Sequence, residues 1–288
     1  MYGRLLRGMC LLLACVGLPA LAASLAVVDM VQMPAWLEHA GRSQPLEVNV
    51  TVNNGDRIRT GSGARATLKL ADGSTVKLGE NAALGFYSRS LRPQRVFKGA
   101  LDVVQGAFRF TALPTSVDSR DINIRGGTAT AEIDSMGGTD LWGKSDGVRN
   151  LILLIEGRTV LGYGGKALAV DKPMTLFAAP RNAMPPVDAE QLQRWERETA
   201  APAGGGMTRS GGHWQVVLAR SGSEAEALAV YDKARAAGYA AKIRPRSAAG
   251  KEWVFDVFLA QLASEQEAVV LASRVNSQLG YPAEPVGH

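Results

Sequence analysis

Between residues 24 and 182, apolar residues alternate with polar ones in short runs that turn-forming residues separate. Residues 46–52 alternate strictly, and Asn-Gly-Asp follows them at 54–56. Two further runs flank Asp72-Gly73, which is a strong short-range signal for a β-hairpin. No helical period competes with this alternation. Residues 24–182 are therefore predicted to form an all-β domain of short strands, arranged as a roll, a sandwich or a coil.

The period changes after residue 212, where a strand pattern followed by a helix pattern occurs twice. Each helix pattern begins at a serine that can cap it, Ser223 or Ser264, and ends at a glycine, Gly238 or Gly280. A strand is predicted after each helix as well. Residues 212–288 are therefore predicted to form an α+β domain with the ferredoxin-like order βαββαβ, which makes the chain multidomain.

Residues 183–211 are predicted to connect the two domains. Asp188 and Gln191 have the spacing of a capping box, so a short helix is expected there. The glycine-rich run at 203–206 that follows has nothing to bury and is expected to be a flexible linker.

The first 22 residues have the pattern of an export signal. Arg4 and Arg7 precede an apolar stretch that is too short to span a bilayer, and Ala-Leu-Ala at 20–22 forms a cleavage site. Residues 1–22 are predicted to be a cleaved signal peptide, which places the protein in the periplasm. The alternative is a lipoprotein anchored at Cys15, because Leu-Leu-Ala-Cys at 12–15 resembles a lipobox. No later apolar run is long enough to cross a membrane.

Four segments in the first half carry a family resemblance: NGDRIRTG at 54–61, ATLKLADGS at 66–74, GTDLWG at 138–143 and LIEG at 154–157. In this order they resemble the FecR-type β domain over residues 46–178. FecR is a membrane-anchored regulator of a sigma factor. This chain is expected to have a cleaved leader and no cytoplasmic segment, so the resemblance implies contact with another envelope protein rather than signal transfer across the membrane.

The second half resembles a SPOR domain in WQV at 214–216, AGY at 237–239 and LGY at 279–281. This resemblance covers residues 213–286 and implies binding to peptidoglycan glycan strands at the division septum. The glutamine that the family uses in its first strand falls on Gln215, and its third-strand aromatic residue falls on Trp253.

Strand alternation assigns the remaining candidate ligand contacts. The face of the sheet that carries no helix is expected to present Gln215, Asp256 and Phe258. Phe258 either stacks on a ligand or packs against the rest of the chain. Alternation alone buries Trp253, in conflict with the resemblance. Arg244 belongs to a small basic edge that either is merely solvated or contacts the ligand.

Several functions are not indicated. From residue 212 onward, eight Lys or Arg balance eight Asp or Glu, so the chain lacks the basic footprint of a nucleic-acid-binding sheet. The three histidines have no metal-ligand spacing, and both cysteines lie in the leader. No phosphate loop or nucleophile elbow occurs. We therefore expect no catalytic residues, no metal, no cofactor and no enzymatic activity.

Two functional hypotheses follow. In the first, a non-catalytic envelope protein binds peptidoglycan through its SPOR-like domain at the septum during cell division, while its FecR-like domain contacts another envelope partner. In the second, the protein is an envelope regulatory or scaffold protein that acts mainly through protein contacts of the FecR-like domain, and its SPOR-like domain is degenerate.

Overall fold

The computed structural model describes residues 24–88, 96–114, 119–133, 137–180, 183, 185–247 and 252–287. The predicted signal peptide and the alternative lipid anchor at Cys15 lie outside these residues. Within the described part of the chain, no helix is both long and apolar enough to cross a membrane.

The first half is built almost entirely from β-strands. They are β1 Ala26–Gln32, β2 Ala35–His39, β3 Arg42–Pro45, β4 Thr51–Val52, β5 Arg57–Thr60, β6 Arg65–Leu70, β7 Thr75–Leu78, β8 Ala83–Ser88, β9 Val96–Ala112, β10 Ser119–Gly126, β11 Ala129–Ile133, β12 Thr139–Ser145, β13 Asn150–Gly157, β14 Thr159–Tyr163, β15 Lys166–Val170 and β16 Thr175–Ala179. This confirms the prediction of an all-β first half.

These strands form two sheets. The first sheet has the order β16-β13-β12-β9-β7-β6-β1. The second has the order β3-β2-β5-β8-β9-β10-β11-β14-β15. Their inner faces share one hydrophobic core, to which the first sheet contributes Leu68 and Phe110, and the second contributes Ile58 and Ile124.

Strand β9 belongs to both sheets. Gln105 pairs with Ala83 of the second sheet, whereas the next residue, Gly106, pairs with Ser145 of the first. Gly106 has a φ of 85°, and a Cβ atom there would lie 2.5 Å from the Cα atom of Ala82. A residue without a side chain is therefore required where β9 changes sheets.

The predicted strand at 46–52 is largely wrong. Within this run only Thr51–Val52 is a strand, because Asn49 has a φ of 65° and breaks the extended conformation. Leu46 and Val48 are nevertheless buried, as the alternation required. In contrast, the predicted hairpin around Asp72-Gly73 is confirmed as β6 and β7.

The connector begins with helix α1, Ala189–Thr199, and the side chain of Asp188 accepts a hydrogen bond from the backbone N–H of Gln191 as the sequence predicted. The glycine-rich run that follows is held in place, so the prediction of a flexible linker is wrong. Glu267 accepts hydrogen bonds from the backbone N–H groups of Gly204 (2.8 Å), Gly206 (2.6 Å) and Met207 (2.8 Å). No residue near the run indicates this partner, which lies about sixty residues further along the chain.

The last part of the chain contains β17 Met207–Arg209, β18 Trp214–Ser221, α2 Glu224–Ala236, β19 Lys242–Ser247, β20 Trp253–Leu262, α3 Glu265–Leu279 and β21 Glu284–Gly287. From β18 onward the elements alternate as βαββαβ, and the strands form an antiparallel sheet in the order β19-β20-β18-β21. Ser223 and Ser264 cap α2 and α3 through their side chains, as predicted. We refer to residues 214–287 as the C-terminal unit.

The C-terminal unit packs directly on the β domain. Strand β17 pairs with β1 in an antiparallel ladder and touches β20 through the pair Thr208 and Leu262. The Arg274 guanidinium donates a hydrogen bond of 2.7 Å to the carbonyl oxygen of Met33. A Cβ atom at Gly238 would lie 2.5 Å from the indole ring of Trp36, so the two halves approach each other closely.

Candidate functional site

The residues predicted to bind glycan occur on one sheet, and three of them share its helix-free face. Gln215, Asp256 and Phe258 lie on the opposite face from Val257 and Leu259, which belong to the hydrophobic core. The assignment of faces was therefore correct. Their exposure was not, because Gln215 is 7% exposed, Asp256 5% and Phe258 7%.

Arginine side chains cover this face. Asp256 forms ion pairs with Arg246 (Nε to Oδ2, 3.0 Å), Arg244 (3.7 Å) and Arg220 (Nε to Oδ1, 3.9 Å). In the sheet, Arg220 and Arg244 are the register partners of Asp256 on the two neighbouring strands. The carboxylate is thus enclosed by three guanidinium groups, each of which is itself about half exposed. We call Arg220, Arg244, Arg246 and Asp256 the arginine cluster.

The aromatic residues do not form a stacking platform. The Arg244 guanidinium carbon lies 4.7 Å from the centroid of the Phe258 ring, so this ring is already occupied by a cation–π contact. Trp253 is 59% exposed, which contradicts the burial that alternation predicts. It is the first residue of β20, pairs with Ser247 at the end of β19, and lies two residues beyond the last pair of β20 with β18, which is Phe255 with Ser221.

The sequence analysis did not place Arg220 in the candidate site, and Arg246 entered it only as part of the basic edge of Arg244, which was predicted either to be solvated or to contact the ligand. Arg220 follows two β-bulges in β18 that shift its register against β20. A strict alternation count passes over such bulges, so the pairing of Arg220 with Asp256 had no local signal. Chemically, the face offers guanidinium donors and its Phe258 ring is already occupied by Arg244, which suits an anionic group better than a neutral sugar ring.

The outer face of the second sheet is a further candidate surface. Cross-strand register aligns one row across all its strands, and every member except the buried Gly85 is at least partly exposed: Ser43, Glu38, Arg57, Gly85, Asp102, Arg125, Thr130, Gly162 and Ala167. Ion pairs tie parts of this surface together, with Arg125 2.6 Å from Asp102 and Arg59 3.0 Å from Glu38. We call this the outer row.

A cavity of about 410 Å³ lies beside one end of the outer row. It is lined by residues that include His39, Arg42, Arg57 and Tyr87. His39 Nδ1 lies 2.5 Å from Oδ1 of Asp56. The other carboxylate oxygen of Asp56, Oδ2, accepts a hydrogen bond from the backbone N–H of Asn53. Among the described residues, no cluster of His, Cys, Asp and Glu could hold a metal ion.

Comparison with known proteins identifies part of the β domain. Residues 56–158 match the family model described as FecR protein. The match runs from the start of β5 to the end of β13 and lies within the FecR resemblance predicted for 46–178. It ends before the C-terminal unit, so the SPOR resemblance remains a prediction.

Other comparisons add little. A search of the curated proteins found no match. Two solved structures of "a putative anti-sigma factor from Parabacteroides distasonis ATCC 8503" align with 12% sequence identity and a TM-score of 0.38. They cover 78% of this chain and 92% and 91% of theirs. A TM-score of 0.38 does not establish a shared fold.

Proposed function

We propose that this chain is a non-catalytic envelope regulatory or scaffold protein that acts through protein contacts of its FecR-like β domain. The observation that carries the proposal is the FecR match over residues 56–158. That segment supplies Arg57, Gly85, Asp102, Arg125 and Thr130, which make up the middle of the outer row. The matched part of the chain therefore builds most of a continuous outer sheet face, on which we place the contact with a partner protein.

The arrangement of the two halves supports the same proposal. Glu267 fixes the glycine-rich run and β17 pairs with β1, so the two halves are joined by direct contacts. We infer that the C-terminal unit is a ferredoxin-like domain that serves mainly as a rigid extension of the β domain. Within its arginine cluster, the three guanidinium groups already pair with Asp256, which lowers their capacity to bind other groups.

Peptidoglycan binding is the second candidate function. It is favoured by the exposed indole ring of Trp253 and by the half-exposed guanidinium of Arg244 above Phe258. The SPOR resemblance assigns Trp253 to the ligand, and Arg244 belongs to the basic edge that was predicted either to be solvated or to contact the ligand. The burial of Gln215 and Asp256 argues against this function, because neither side chain can reach a bound polymer without rearrangement.

We also propose that the protein acts in the periplasm after removal of residues 1–22. The proposal rests on the charged start, the short apolar stretch and the cleavage site in the sequence. Mass spectrometry of the protein from envelope fractions would test it. A mature N-terminus at Ala23 supports the proposal, whereas a lipid-modified Cys15 supports the lipoprotein alternative.

A crosslinking experiment in living cells tests the proposed function. A photo-crosslinking amino acid is placed in the full-length chain either at Arg57 or Thr130 of the outer row, or at Arg244 or Trp253 of the C-terminal unit. We expect protein adducts from the positions of the outer row. In parallel, the mature chain is sedimented with purified sacculi before and after amidase treatment. Pelleting that is lost in Trp253→Ala and Arg244→Ala, together with no adducts from the outer row, would favour peptidoglycan binding instead.

A further inference from the structure

The edge strands of a β-sheet expose unpaired backbone N–H and C=O groups, and proteins usually protect these strands from pairing with another chain. Three edges here carry a proline: Pro45 in β3, Pro245 in β19 and Pro285 in β21. The edge formed by β16 is covered by a β-bridge between Ala178 and Ala183. Each of these edges is therefore poorly suited to pairing with another strand.

Strand β15 at the end of the second sheet has no such protection. Among the described residues it pairs with β14 alone, and its first four residues are exposed. Its sequence, Lys-Ala-Leu-Ala-Val, contains no proline, and its one charged residue is Lys166. No ion-pair partner of Lys166 occurs in the described part of the chain.

The turn before β15 determines which of its backbone groups are free. Gly164 and Gly165 have φ values of 58° and 77°, and positive φ at both central residues is typical of a type I′ turn. In such a hairpin the flanking pair, Tyr163 and Lys166, exchanges hydrogen bonds, and bonded pairs then alternate along the ladder. Leu168 is thus bonded to β14, whereas the N–H and C=O groups of Ala167 and Ala169 point away from the sheet.

The side chains of β15 also lack cover. Leu168 pairs with the buried Leu161 on the core face, yet it is 45% exposed, because no strand of the described residues lies on the other side of β15. On the other face, Ala167 borders a groove of about 310 Å³ whose floor includes Gly162 and Thr130. A Cβ atom at Gly162 would lie 2.3 Å from the Thr130 hydroxyl oxygen, so this glycine keeps the groove open.

We propose that β15 binds an extended segment of a partner protein, which adds a strand to the second sheet. Backbone hydrogen bonds to Ala167 and Ala169 would supply the pairing. An apolar side chain of the partner would cover Leu168, and an acidic side chain two positions away would pair with Lys166 on the same face. The partner segment is therefore expected to contain an acidic residue and an aliphatic residue with one residue between them. This inference rests on the proposed function and names the mode of protein contact.

Pairing with a second copy of the chain is less favourable. An antiparallel arrangement centred on Leu168 would place each Lys166 opposite Val170 of the other copy and leave both lysines without an opposite charge. A different protein with an acidic residue in its segment would place an opposite charge beside Lys166. Charge complementarity therefore favours such a partner over a second copy of the chain.

Backbone and side-chain variants of the full-length protein test the proposal. With a photo-crosslinking amino acid at Lys172, next to β15, we expect adducts to a single extended segment of another protein. Ala169→Pro removes one outward N–H group and should reduce the adduct roughly tenfold. The matched control Ala169→Thr keeps this group and should retain the adduct. Leu168→Lys leaves the backbone intact and should also abolish it, which guards against misfolding of the proline variant.

The outcomes separate this inference from the proposed function. Undiminished adducts in both Ala169→Pro and Leu168→Lys would overturn strand addition, and adducts between two copies of the chain would replace the partner with a dimer. Adducts from Arg57 or Thr130 without any from Lys172 would leave the proposed function standing and reject β15 as its site. Absence of protein adducts from all three positions would reject both.

Discussion

The indole rings of Trp142 and Trp195 are stacked, with their centroids 4.6 Å apart and an angle of 8° between their planes. Trp142 lies on β12 and is fully buried, whereas Trp195 belongs to α1. Together with Ala107, Leu153 and Leu176 they form a second hydrophobic cluster on the outer side of the first sheet. This contact fastens the connector helix to the β domain.

Replacement of Trp195 by alanine should lower the free energy of unfolding by about 3 kcal/mol, because it removes a buried aromatic ring and leaves a cavity over Trp142. The measurement is urea denaturation followed by tryptophan fluorescence. Gln193→Ala, an exposed position in the same helix, is the control and should change stability little. Equal stabilities of the two variants would show that the stacked pair does not hold α1.

Glu267→Gln should loosen the glycine-rich run. The carboxylate accepts three backbone N–H groups, and an amide in its place cannot satisfy all of them, which costs about 2 kcal/mol for the buried donors left unpaired. Hydrogen exchange at residues 203–207 should become faster, and proteolysis there should increase. Glu265→Gln, an exposed position two residues earlier, should leave both measurements unchanged.

Gly106→Ala should be far more destabilising than Gly147→Ala. Both glycines have positive φ, at 85° and 87°, so both variants carry a backbone strain of about 1 kcal/mol. A Cβ atom at Gly147 meets nothing within 4 Å, whereas at Gly106 it overlaps the backbone of Ala82. Gly106→Ala should therefore lower the free energy of unfolding by about 2 kcal/mol or more beyond the loss in Gly147→Ala, because it disturbs the bend at which β9 changes sheets. Thermal unfolding of both variants measures the difference, and similar losses would contradict the role given to this bend.

Stability should fall at alkaline pH because of Tyr239. Burial raises the pKa of its hydroxyl to about 12, although the positive charge of Arg274 acts in the opposite direction. In the unfolded chain a tyrosine loses its proton at a pH of about 10. The contribution of Tyr239 is therefore fully present below about pH 10 and is lost as the pH rises through about 12.

Denaturation at a series of alkaline pH values tests this prediction. Tyr239→Phe should remove part of the alkaline loss, and at neutral pH it should cost about 1 kcal/mol, since the hydroxyl donates a hydrogen bond to Gln278. The control Tyr281→Phe affects a half-buried ring and should retain the alkaline loss, because Tyr239 is still present. A wild-type stability that stays constant between pH 10 and 12 would contradict the prediction.

Local patterns predicted much of the secondary structure. The hairpin around Asp72-Gly73 and the helices capped by Asp188, Ser223 and Ser264 occur where the sequence placed them. Each of these elements depends on residues within a few positions of one another, so a short stretch of sequence contains all the residues that form it. The strand at 46–52 failed for an equally local reason, since one residue with positive φ, Asn49, interrupts it.

The candidate binding face was predicted only in part. Alternation identified the face shared by Gln215, Asp256 and Phe258 but not its burial, and arginines from two neighbouring strands lie over Asp256 and Phe258. Two β-bulges in β18 set which of these arginines reaches Asp256. Neither the position of these arginines nor the β-bulges could be predicted from the local sequence.

By itself, the sequence determined the β-rich first half, the repeated strand and helix pattern of the second, and the FecR resemblance, because periodicity, capping and turns act over short distances. Only the tertiary structure decided that Glu267 fixes the supposed linker, that arginines close the predicted glycan face and that β15 is left as an unprotected edge. These properties depend on which distant segments become neighbours. That choice is made by the packing of the complete core, and no single stretch of the chain encodes it.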